Sequence, residues 1–193
     1  LRRWGVHQPE RVRALLDESG LVIEDLGYVL DTCADIEQFA LVCARAASQC
    51  PQLIQDLNSD AEAACRFAAV VGFSSWWGDY LLQHPDFLTM SPPPSGLGMV
   101  EYLRQALPQD WEEYASEDSN AWSFAACTLR SAYRRALFEI VADDLLSPDP
   151  CAPQHLQSVA RRISDLADAA LAGALYIAQC LEDRLRQIPL CVI

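Results

Sequence analysis

Two long runs of apolar residues at helical spacing, separated by one proline-rich break, limit most strongly what this chain can fold into. In the first run, positions 122, 126, 129, 133, 137, 140, 141 and 145 are apolar and recur at intervals of three and four. In the second, Leu156, Val159, Ile163, Leu166, Ala170, Ala174, Ile177 and Leu181 do the same. Such spacing stacks side chains on one face of a 3.6-residue helix. The first helix is expected over 121–146, stopped by Ser147-Pro148-Asp149-Pro150. The second is expected to open at Pro153 and run to about 186. A connection this short makes two long helices pack as an antiparallel hairpin.

Shorter helical signals precede the hairpin. Pro9 suits the first turn of a helix over 8–18, and Gly20 ends it. Residues 21–30 read equally as a strand or a turn of helix. Asp31 or Thr32 is placed to cap a helix reaching Ser48, and Pro51 restarts a helix over 51–57. Asn58-Ser59-Asp60 is a capping cluster, and Ser59 with Glu62 has the spacing of a capping box for a helix over 60–71, with Gly72 ending or bending it. Ser74 or Ser75 caps a helix that stops before Pro85. Ser91-Pro92-Pro93-Pro94-Ser95-Gly96 reads as a linker, a modest helix follows at 97–106, and 108–120 is acidic. Ile188-Pro189-Leu190-Cys191-Val192-Ile193 has a strand's composition. The fold class is therefore all-α, a helical bundle with the hairpin near its C-terminal end. The expected regions are 1–90 helical, 91–120 linker and acidic segment, 121–187 hairpin, and 188–193 the start of something else.

Charge narrows the chemistry. The net charge is −13, and all 14 basic side chains are Arg. An acidic surface does not neutralise phosphates, so neither nucleic acid nor an anionic membrane is an expected partner. A chain without Lys has no Schiff-base lysine and no phosphate-loop lysine. The 8 Cys form no C-x-x-C and fall mostly in apolar helical runs. They are expected to be reduced and mostly buried, which fits a cytoplasmic chain. No apolar run is long enough for a membrane span, and no signal peptide opens the chain. Both ends read as cut.

The side chains present no self-sufficient active site. Arg130, Arg134 and Arg135 form a basic cluster on the first long helix, a candidate for phosphate or a partner's carboxylates. The simpler reading is ion pairing with Glu139, Asp143 or the acidic 112–118 segment. Asp143-Asp144 and Asp165/Asp168 could share a divalent cation, but the D-D-x-x-D pattern of helical diphosphate enzymes fails at Leu145-Leu146-Ser147. Solvated charge or pairing with Arg161 and Arg162 is expected instead, and no metal ligand is assigned. His7, His84 and His155 are scattered without a nucleophile beside them. Trp76-Trp77 reads as part core and part half-exposed interface.

Two segments carry a resemblance. One is Leu129-Arg130-x-x-Tyr133-Arg134-Arg135-x-Leu137-x-x-Ile140-x-x-x-Asp144-Leu145, continued by Ile163-Ser164-x-Leu166-Ala167-Asp168-x-x-Leu171. The other is Val71-Gly72-x-Ser74-x-x-x-Gly78-Asp79-x-Leu81-x-x-His84-Pro85. In order and distance they resemble the bifunctional glutamine synthetase adenylyltransferase/adenylyl-removing enzymes, over about residues 70–190. Glu139 departs from the basic residue expected there.

The resemblance implies two nucleotidyltransferase-like halves. One removes AMP from a glutamine synthetase tyrosine by phosphorolysis, giving ADP, and the other adds AMP from ATP. It implies Mg²⁺ and ATP or phosphate as cofactors of the whole enzyme, and glutamine synthetase and a PII-type signal protein as partners. The metal-binding carboxylates would sit in a G-G-x-x-L-x-x-x-S-D-x-D motif following a strand like 189–193. No such motif occurs in the chain, so the resemblance assigns it no catalytic residue. It reads as the N-terminal part of the removing half, ending at the first strand of a truncated nucleotidyltransferase-like domain and inactive by itself. The alternative is a non-enzymatic helical adaptor that docks through Trp76/Trp77.

Overall fold

The computed structural model describes residues 5–23, 26–84, 87, 93, 98–107 and 121–181. Every regular element among them is helical: α1 (Pro9–Ser19), α2 (Leu26–Asp31), α3 (Ile36–Gln49), α4 (Pro51–Ser59), α5 (Ala61–Phe73), α6 (Ser75–Gln83), α7 (Met99–Gln105), α8 (Ala121–Leu145) and α9 (Pro153–Leu181). The expected strand at 188–193 and the acidic segment 108–120 lie outside the described residues. Among the described residues, no helix is long and apolar enough to cross a membrane.

The chain divides into two compact units. One comprises residues 1–89 with 141–150, and the other 90–140 with 151–193. In the first, α3 is the central helix, packed by α1, α4, α5 and α6. Its Phe39, Ala40, Val42, Cys43 and Ala46 are buried, and Phe39 meets Phe67 of α5 edge-on at 6.1 Å between centroids. Glycines let α5 come close to the segment before α3, and α6 come close to α3 itself. A Cβ on Gly72 would collide with Cys33 Sγ and approach the Ala34 and Asp35 backbone nitrogens at 3.3 Å. A Cβ on Gly78 would meet Val42 Cγ2 at 2.6 Å. Gly72 does not end α5, which runs on to Phe73. It lies buried inside the helix, where only a missing side chain fits.

The helix starts correct two expectations. Asp35, not Asp31 or Thr32, caps α3, its carboxylate accepting from the Gln38 N–H at 3.0 Å. Asp60, not Ser59, caps α5, its Oδ1 accepting from the N–H groups of Glu62 and Ala63 at 3.0 Å each. Ser59 closes α4 instead, donating its hydroxyl to the Asp56 carbonyl. Consecutive capping-type residues leave the boundary open until the next turn is packed. Of residues 21–30, the later part forms α2 from Leu26, and Gly20 ends α1 in the left-handed conformation, φ 70°.

The second unit holds α7, most of α8 and α9. Its core combines Tyr102, Leu103 and Leu107 with Ala121, Ala125, Leu129, Ala132, Ala136 and Ile140, and with Leu166, Ala169 and Ile177. At Gly173 α9 comes close to α8, because a Cβ there would lie 2.8 Å from Leu129 Cδ1. The core positions of both long helices differ from the expected stripes. On α8 the innermost residues are largely alanines, with Tyr133 and Leu137 only partly buried beside them. On α9, Leu166 and Ile177 are buried, but Leu156 and Ile163 are 54% and 47% exposed. Close-packed helices put small side chains at the contact line and large ones at its rim. A search for bulky residues therefore finds the helices but misplaces their contact line.

Candidate functional site

The basic cluster of α8 is the candidate that the sequence offered, and the fold divides it. Arg130 and Arg134 stand one turn apart. Arg130 is exposed and donates its Nε–H to the Ala126 carbonyl at 2.9 Å. Arg134 is half-buried. Arg135 lies about 100° further round the helix and points inward. Its Nη2 is 2.8 Å from Glu139 Oε1, with the two side chains only 8% and 13% exposed. Its guanidinium carbon sits 5.6 Å from the Phe138 ring centroid. The three arginines thus do not converge on one ligand. Arg135 belongs to a buried ion pair, and Glu139 is its counter-ion.

That pair is felt at Tyr102 on α7. Burial pushes its phenol pKa up, with Arg135 pulling it down and Glu139 adding to the rise. An isolated charge in this core would carry a large desolvation cost, and the i, i+4 spacing lets each charge neutralise the other.

The carboxylates are distributed differently from what their spacing suggested. Asp143 pairs with Arg66 of α5 at 2.7 Å, a contact between residues 77 apart in sequence that no local pattern signals. Asp165 lies 3.9 Å from Arg161, both exposed, so that pair contributes little. Among the described residues, no three His, Cys, Asp or Glu side chains come together as a metal site.

The aromatic pair on α6 splits as core and surface. Trp77 is buried, whereas Trp76 is 51% exposed and stacks on Tyr80 with centroids 5.2 Å apart and planes 9° from parallel. His84 ends α6, and its ring lies 4.4 Å from that of Tyr80. The cysteines are free thiols among the described residues, but fewer are buried than expected. Cys43, Cys50 and Cys65 are inside, Cys33 and Cys180 are half-buried, and Cys127 and Cys151 are exposed. The buried ones fill helix contacts as small apolar groups.

Concave sites occur in both units among the described residues. In the first unit a cleft of about 600 Å³ is lined by Tyr28, Asp31, Thr32, Ala61, Glu62, Cys65, Leu145 and Leu146. In the second, a hollow of about 250 Å³ lies under Arg104, which covers the Tyr176 ring at 5.5 Å from its centroid. Neither lining includes a histidine, so neither sets a nucleophile beside an imidazole base.

Comparison with known proteins supplies what the geometry does not. No family model matches the chain, and no solved structure does. Curated proteins do match, under one name. A bifunctional glutamine synthetase adenylyltransferase/adenylyl-removing enzyme of Cutibacterium acnes is 30% identical over 161 residues, which is 81% of this chain and 16% of that protein. The protein of that name from Bifidobacterium longum is 28% identical over 198 residues, 93% of this chain and 18% of its own length. The one from Mycolicibacterium smegmatis is 30% identical over 186 residues, 91% of this chain and 18% of that protein. The chain thus spans about a sixth of the length of these relatives.

Proposed function

The chain is homologous, along most of its length, to one segment of the bifunctional glutamine synthetase adenylyltransferase/adenylyl-removing enzymes, and from that premise we propose that it forms helical scaffold of the adenylyl-removing half of such an enzyme. In this reading the whole enzyme regulates glutamine synthetase by reversible adenylylation of a tyrosine. The removing half releases AMP by phosphorolysis, giving ADP, with Mg²⁺ held by carboxylates of a catalytic Asp-x-Asp motif outside these residues. The two long helices form an antiparallel pair that supports that catalytic part, and the chain alone carries no turnover. Glutamine synthetase and a PII-type signal protein are the partners, and the compartment is the cytoplasm.

The observation that carries this reading is the extent of the alignment. Relatives under one name align with nine-tenths of the chain at close to 30% identity. Local amphipathic similarity would not extend through both units. Within the chain, we assign partner or phosphate contact to the Arg130 and Arg134 side of α8, since Arg135 is engaged inside. The adaptor reading keeps one observation in its favour, the exposed Trp76 stacked on Tyr80.

Deletion of the aligned segment from the Cutibacterium acnes relative tests the proposal. Phosphate-dependent removal of AMP from adenylylated glutamine synthetase is expected to vanish, while addition of AMP from ATP survives. Loss of addition with removal intact would assign the segment to the other half. Retention of both activities would leave the segment outside the catalytic scaffold and favour the adaptor.

A further inference from the structure

We draw no further inference here: the strongest candidate, the hollow beside α7 and α9 in the second unit where Arg104 covers the Tyr176 ring, offers a single exposed cation over an apolar floor, and nothing in the structure shows what covers it in a chain that spans about a sixth of its relatives.

Discussion

Arg135 shows how much a single side chain's surroundings alter its meaning. Read along the sequence it joined Arg130 and Arg134 in a basic cluster, but in the fold it is buried against Glu139 at 2.8 Å. Removing one member of a buried pair strands the other's charge and costs about 3–5 kcal/mol, whereas replacing both by apolar residues is close to neutral. Arg135→Met or Glu139→Leu alone should therefore lower the melting temperature sharply, and the two together should recover most of the loss. Arg130→Ala, at an exposed position, should leave the melt within about 0.5 kcal/mol of the parent. Equal effects of the single and double substitutions would show that the pair is not buried in solution.

The thiols make a second residue-scale prediction. Burial pushes the Cys33 thiol from 9.0 up to about 12, and the Cys43 and Cys50 thiols rise for the same reason. Above about pH 9 the unfolded chain ionises these groups while the folded chain keeps them protonated. The unfolded state then binds fewer protons, so stability falls as pH rises, and for Cys33 it keeps falling until about pH 12. Stability supplied by the neutral thiols is complete below pH 9. Urea midpoints measured from pH 7 to 10.5 should be level at first and then decline. A level midpoint across the whole range would contradict their burial.

At the scale of elements, helix existence was legible and helix contact was not. Pro9, Gly20, Pro51 and the Ser147–Pro150 break marked boundaries, because proline and glycine act through local backbone geometry. The caps were harder to place, since runs such as Asn58-Ser59-Asp60 offer several candidates and only packing selects one. Asp60→Ala should cost about 1 kcal/mol by removing two hydrogen bonds from the start of α5, while Ser59→Ala should cost clearly less. Chemical denaturation of the two variants distinguishes them, and a reversed order would restore Ser59 as the cap. The contact face of α8 was missed because Ala125, Ala132 and Ala136 give a weak hydrophobic signal, yet they are what permits close approach. Of the candidate site, the Arg161–Asp165 proximity was legible from spacing. The Arg66–Asp143 pair was not, because nothing in either segment encodes the other.

For the molecule as a whole, the physical reading and the comparisons supply different things. Periodicity gave an all-helical chain, and the structure adds two compact units, with α8 contributing residues to both. Neither helices nor clefts bring together a catalytic set among the described residues. Function therefore rests on homology to a sixth of a longer enzyme and on the proposal that these helices are scaffold. The most direct test grafts this chain into the Cutibacterium acnes relative in place of its own aligned segment and measures phosphate-dependent release of AMP from adenylylated glutamine synthetase. A scaffold of the removing half should restore release that the deletion abolishes. A folded, soluble chimera that adds AMP normally but cannot remove it would contradict the account.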